Sequence, residues 1–343
     1  MVNAVVVGYG RSGRDFHCYL VGLTPGIHLY GVVSGSEEKR QNITQTHGCR
    51  AFPDLDDALA DPDVQLIILA TPNNTHADLA VKAMQAGKHV VTDKVMCLTL
   101  DDCERMISAA QANDVMLSVF QNRRFDGDYL TIRKLMVDGL LGEVRWLEMS
   151  WQTFRAWGGW RGVAAMGGGK LYDLGAHLID QACLIFPDAI ESVYCRMHHD
   201  YDNTDVESEA LVVITFAGGQ TAVCDFSSMA ALSKPRFYVR GTKGTFRKFG
   251  LDPQEAAMST GDIDAAVEPT EIYGTLSDGK EEYTIPTLPG RWRDYYENIS
   301  AVLNDGAPPA VTYAELRREI AVIDAAFESA RTNNVVTVDQ PGI

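Results

Sequence analysis

Short apolar runs alternate with helical periodicity through the first third of the chain. Ala4-Val5-Val6-Val7 reads as a buried strand, and Phe16, Leu20 and Leu23 follow it at helical spacing. Further strands are expected at about 28–33, 64–70, 88–92 and 116–120, with helices between them, one ending at Ala86-Gly87 and one over 100–112. From Asp126 the pattern changes. A helix to about Asp138 stops at Gly139, and then comes an alternating run at 144–152. Strand-like stretches follow at 190–199, 207–217, 219–228, 235–241 and 244–249, with tight turns at Gly218-Gly219 and Gly241-Thr242-Lys243-Gly244. Residues 258–279 read as a surface excursion, and helices close the chain at about 291–303 and 313–331. One further helix interrupts the strands, entered through Gly167-Gly168-Gly169 and ended near Phe186-Pro187. Leu171, Leu174, Leu178, Ile179, Ala182, Ile185 and Phe186 share one face of it, and Asp173, His177 and Asp180 form a stripe on the opposite side.

Strands alternating with helices imply a parallel, doubly wound sheet, whereas consecutive strands joined by tight turns imply an antiparallel one. The fold class is therefore α/β. An N-terminal Rossmann domain is expected over 1–122, and a C-terminal α+β domain with a large, mostly antiparallel open sheet over 123–343. Apolar residues on both faces of that second sheet leave one face for a subunit contact, so a homo-oligomer, dimer or tetramer, is expected.

Composition narrows the partners. Hydrophobic residues make up 46% of the 343 and charged residues 22%, ordinary for a globular chain. A formal charge of −16 works against nucleic acid or an anionic membrane as partner. No apolar run is long enough to span a bilayer, and the start of the chain lacks the basic segment of a signal peptide. The seven cysteines are scattered and never spaced C-x-x-C. Free thiols and a cytoplasmic location are expected. His198-His199 has no carboxylate or cysteine in register, so no metal site is expected.

Candidate chemistry sits at the strand ends, where ligands of such sheets bind. Gly8-Tyr9-Gly10-Arg11-Ser12-Gly13 follows a strand and opens a helix, the context in which G-x-G-x-x-G holds a pyrophosphate. The end of the second strand carries Ser34 and Ser36 where an NAD enzyme usually has Asp or Glu, with Lys39 and Arg40 just beyond. Hydroxyls and cations suit a 2′-phosphate, so NADP is favoured; NAD remains possible through Glu37. Thr71-Pro72-Asn73 and His76, then Asp93-Lys94, then Asn122 lie at later strand ends. A lysine there can stabilise a developing alkoxide. Asp173 and His177, four apart, read as a carboxylate orienting an imidazole. Arg155-Ala156-Trp157-Gly158-Gly159-Trp160-Arg161-Gly162 suits a lid over a ring and a phosphate, or a loop packed on a neighbouring subunit.

Together, the glycine loop, Thr71-Pro72-Asn73-x-x-His76, Asp93-Lys94 and Gly169-x-x-x-Asp173-x-x-x-His177-x-x-Asp180 resemble the Gfo/Idh/MocA family of sugar and polyol oxidoreductases along essentially the whole chain. The stretches 120–131, 172–181 and 250–255 are similar to the subgroup that holds the NADP-dependent scyllo-inositol dehydrogenases. The resemblance implies catalytic roles for Lys94, Asp173 and His177. It implies a cyclic polyol or sugar held by Lys94, Arg123, Tyr172, Asp173 and His177. It also implies an NADP site formed by the strand-end residues above, with Asn122 near the nicotinamide. The chain departs from the family's Glu-Lys-Pro motif, reading Asp93-Lys94-Val95, which loses proline's constraint on the backbone that aims the lysine. The family also contains non-catalytic regulators, but Lys94, Asp173 and His177 together favour an active enzyme.

Overall fold

The structure is a computed structural model that describes residues 1–338 and divides into two compact units. Met1–Gln121 and Trp292–Leu316 form the first, and Asn122–Arg291 with the chain from Arg317 forms the second. Among the described residues no helix is long and apolar enough to cross a membrane.

Six strands build the first unit's sheet: β1 (Val2–Val7), β2 (Ile27–Val33), β3 (Arg50–Phe52), β4 (Leu66–Leu69), β5 (His89–Thr92) and β6 (Leu117–Val119). All neighbours are parallel, in the order β3-β2-β1-β4-β5-β6, which is the expected Rossmann sheet. Its central strands are covered on both faces, so they read as unbroken apolar runs. Helices α1 (Tyr19–Leu23), α2 (Glu37–His47), α3 (Leu55–Ala60), α4 (His76–Gln85) and α5 (Leu100–Ala112) connect them. The turn before α1, Ser12–Cys18, is π-helical, a wider winding often found at functional sites.

The second unit begins with α6 (Gly127–Val137), β7 (Val144–Gln152) and α7 (Ala176–Ile185). Then follow β8 (Ile190–His198), β9 (Glu209–Phe216), β10 (Thr221–Ser227), β11 (Phe237–Gly241), β12 (Thr245–Lys248), α8 (Gln254–Ser259), β13 (Gly274–Ser277) and β14 (Glu282–Ile285). Helix α9 (Arg293–Asp305) returns to the first unit, α10 (Tyr313–Thr332) follows, and β15 (Val336–Thr337) completes the second sheet. That sheet runs β14-β13-β12-β11-β7-β10-β9-β8-β15, antiparallel throughout except for the parallel pair β7 and β10. Period-2 alternation sets its faces: Ala210, Val212, Ile214 and Phe216 of β9 are buried, whereas Leu211 is 37% exposed.

Helix α7 packs on β7 and β10. Its polar stripe does not face water. Ala176 to Cys183 are all buried; Arg124 pairs with Asp180, and Gln181 bonds the Arg123 carbonyl and Arg236. The stretch 258–279 is also more than an excursion, since it contains β13. Only Leu276 is a large apolar residue in that short strand, too little alternation to announce it.

Candidate active site

The glycine loop leaves β1 through a turn that only glycine closes. Gly8 has φ +101°, and a Cβ there would stand 2.5 Å from the Ala70 carbonyl oxygen; at Gly13 it would stand 1.9 Å from the Gly8 oxygen. At Gly10 nothing lies within 4 Å. The first and third glycines thus fold the loop, and the middle one leaves open space over its backbone, a cradle that fits a pyrophosphate. The Tyr9 side chain is buried, its hydroxyl 2.9 Å from His47 Nε2 and donating to Asn42 Oδ1 at 3.4 Å. Arg11 lies over Phe16 at 6.0 Å.

At the end of β2, Ser36 caps α2 by accepting from the Lys39 N–H at 3.3 Å. Arg40 donates to the Ser34 carbonyl at 2.8 Å, which fixes a guanidinium against the strand end. Lys39 is exposed.

The ends of β4 and β5 are tied together by His76. This buried imidazole places Nε2 3.0 Å from the Thr71 carbonyl oxygen and Nδ1 2.8 Å from that of Val95. Burial pushes its pKa down, against the pull of the two carbonyls and of Asp93. Thr75 donates to the Pro72 carbonyl at 2.7 Å, and Asn73 is buried. Lys94 follows β5, half-buried, and the Lys94–Val95 peptide is cis. Asp93 accepts from the Lys94 N–H at 2.8 Å and from the Ser12 hydroxyl, and lies 3.7 Å from His17 Nε2. Burial opposes its charge, yet His17, Lys94 and Ser12 hold the carboxyl well below the usual carboxylate range. His17 Nδ1 is 2.6 Å from the Tyr296 hydroxyl. The glycine loop and the lysine turn therefore share one carboxylate.

In the second unit the site is built around α7. Its entry, Leu171–Gly175, is π-helical, so Asp173 and His177 lie across a π-to-α junction. His177, 5% exposed, stacks on Trp151 with centroids 6.0 Å apart and planes at 24°. Arg123 and Arg236 also lie on that indole, at 4.4 and 5.1 Å. Arg123 pairs with Asp126 at 3.2 Å and Glu255 at 2.9 Å, and Gln181 bridges its carbonyl to Arg236. Asp180 takes Arg124 in a buried two-point pair at 2.9 and 2.6 Å, a contact whose loss typically costs about 3–5 kcal/mol. Asn122 is buried in the turn before Arg123, and the Tyr172 ring packs 4.8 Å from Phe327.

Asp173 pairs with Arg161 at 3.3 Å, an arginine of the tryptophan-rich loop. The glycine run brings the chain against a charged group of its own. A Cβ on Gly169 would stand 2.5 Å from a Glu207 oxygen, and Glu207 accepts from the Leu171 N–H at 2.6 Å. Burial pushes the Glu207 pKa up, and the backbone donors of the helix start oppose it. Sequence reasoning passed over Lys170, which is fully buried. It lies on the apolar side with Leu174 and Leu178, each four residues apart, and that spacing was the available signal. It also passed over Glu207, Trp151, Arg236 and His17, which carry no motif.

Residues 2–121 match the family described as "Oxidoreductase family, NAD-binding Rossmann fold", and residues 129–247 match "GFO/IDH/MocA C-terminal domain". The chain belongs to the Gfo/Idh/MocA family. It is an NAD(P)-binding oxidoreductase of that family. It is 32% identical to the uncharacterized oxidoreductase YdgJ of Escherichia coli, over 96% of each chain. It is 31% identical to the scyllo-inositol 2-dehydrogenase (NADP(+)) IolW of Bacillus subtilis, over 98% of this chain and 96% of that one. Among solved structures, the putative oxidoreductase yvaA of Bacillus subtilis superposes with a TM-score of 0.91 at 29% identity, covering 98% of both chains. The solved relative shares the fold along 98% of this chain.

Proposed function

We propose that this protein is an NADP-dependent dehydrogenase of a cyclic polyol or sugar, with scyllo-inositol and its 2-keto form as the best-matched pair. The observation that carries the reading is the Asp173–His177 pair at the entry of α7, in a chain that also ends β5 with Lys94 and matches a scyllo-inositol dehydrogenase along its length. His177 takes the proton of a secondary hydroxyl as the carbon loses its hydride, and returns it when a ketone is reduced. Asp173 orients the imidazole and balances its charge once protonated. Lys94 steadies the negative charge that grows on the oxygen, with its turn braced by Asp93 and His76. Bound NADP supplies the hydride acceptor, or the donor in reverse.

Residues 8–13 cradle the pyrophosphate, with Thr71, Pro72, Asn73, His76 and Asn122 lining the rest of the cofactor path. Support for NADP comes from Arg40, held at the end of β2 beside Ser34, Ser36 and Lys39. Arg123 and Tyr172 shape the substrate side. Assembly into a homo-oligomer through the outer face of the second sheet is supported by Leu211, 37% exposed, and its half-buried neighbours Val213, Val223 and Tyr238. The test is turnover of a panel of inositols and aldoses with NADP and NAD, followed by absorbance of the reduced cofactor. Turnover of scyllo-inositol with NADP supports the reading. Cofactor binding with no turnover of any member makes the protein a sensor, not an enzyme.

A further inference from the structure

The loop 153–162 is anchored at both ends within the second unit. Thr153 and Arg155 donate backbone hydrogen bonds to Ser227 and Ser228 at 2.8 and 2.9 Å, and the Arg161 carbonyl accepts from Gly169 at 3.0 Å. Between these anchors Trp157 lies under Lys170, whose Nζ is 3.9 Å from the indole centroid and donates to Thr153 Oγ1 at 3.1 Å. The last residues of the loop carry Arg161, stacked on Trp160 at 4.6 Å and paired with Asp173 at 3.3 Å. One loop therefore grips two residues of the same helix entry, three positions apart: an ammonium in its middle and a carboxylate at its end.

We propose that Lys170 is a positioning residue for Asp173: its buried ammonium holds Trp157, and with it the loop that keeps Arg161 on the Asp173 carboxylate. A methionine would fill the same space without a charge to bury, so the lysine does something that filling the space does not require. Cation–π attraction to a desolvated indole is that gain, and it exists only while the amine is protonated. The charged groups around it are Asp173 and Glu207, which favour the proton, and Arg155, which disfavours it. Thr153 and Trp157 supply the contacts. Burial dominates and pushes the Lys170 pKa down to about 8. The grip therefore weakens as pH rises through about 8, and Asp173 then loses its fixed partner.

This inference rests on the dehydrogenase reading only for its kinetic part, and its test separates the two. Hydrogen–deuterium exchange of the 153–162 peptide is followed in the full-length protein, in Lys170→Met and in Lys170→Arg, at pH 7 and, after correction for the intrinsic rate, at pH 9. The wild type is expected to exchange faster at pH 9 than at pH 7. K170M should exchange about tenfold faster than wild type at pH 7, the scale of a lost cation–π contact. K170R, which keeps a stacking cation that does not titrate, should stay protected at both pH values. With turnover, kcat should fall in K170M with NADPH affinity unchanged, and the alkaline limb near pH 8 should vanish in K170R. Exchange that follows the cation without turnover of any polyol supports the grip and removes the dehydrogenase assignment. Equal exchange in all three proteins overturns the grip whatever the turnover, and K170R alone decides the matter if K170M does not fold.

Discussion

Replacing Lys170 by Met should stabilise the protein near neutral pH while slowing it. Burial takes the Lys170 pKa from 10.5 to about 8, and at about 1.36 kcal/mol per tenfold change in proton affinity the folded chain carries that ammonium at a cost of about 3 kcal/mol. Methionine keeps the packing of the stem but loses the bond to Thr153, worth about 1 kcal/mol, and the contact with the Trp157 ring, worth about 1 kcal/mol, which leaves a net gain of about 1 kcal/mol. The sign with pH follows from the lowered pKa. Below pH 8 folded and unfolded chains both hold the proton, and the cost is fully present. Between 8 and 10.5 the folded chain releases it while the unfolded chain keeps it, so wild-type stability recovers and the advantage of K170M disappears. Thermal unfolding at pH 7 should show K170M higher by about 3 °C, taking about 2–4 °C per kcal/mol for a unit of this size, with the curves meeting near pH 9. A variant less stable at pH 7, or an offset independent of pH, would refute the reasoning.

Other consequences are as direct. His177→Ala should lower kcat by about 10²–10⁴ with the NADPH dissociation constant unchanged by fluorescence titration; an unchanged kcat removes His177 from the chemistry. Arg40→Ala should weaken NADPH by about tenfold or more, the scale of a charge-assisted contact, and leave NADH nearly unaffected; equal losses for both would deny it a role at the 2′-phosphate. Leu211→Asp should shift the mass by light scattering from oligomer toward monomer, and a wild type that is already monomeric contradicts assembly through the sheet face.

The parts of the fold that could be read from the chain are those with strong local periodicity. From Ala4 onward β1 is an unbroken apolar run, as β4 is, because both faces are covered, whereas β9 is apolar on both faces in sequence and alternates only in burial. The edge strand β3 and the inner strand β13 are three and four residues long, too short for a period to register. The stripe on α7 was visible, but its burial was not: Arg124, 56 residues from Asp180, neutralises it. His76 was legible as a strand-end residue, whereas its bridge between the Thr71 and Val95 carbonyls depends on β4 and β5 lying side by side. Periodicity also cannot say which sheet a helix covers, and so the return of α9 to the first unit is a property of the folded chain alone. The two π-helical turns escape a search at 100° per residue, and both stand where a candidate site begins.

The central claim is that this chain moves a hydride from a cyclic polyol to nicotinamide with His177 as the proton acceptor. Incubation with NADP⁺ and scyllo-inositol deuterated at carbon, followed by mass spectrometry of the cofactor, tests it most directly. The account predicts NADPH one mass unit heavier from the wild type and a yield near background from H177A in the same time. Unlabelled cofactor from a wild type that binds NADPH, or equal labelling by both proteins, would contradict it.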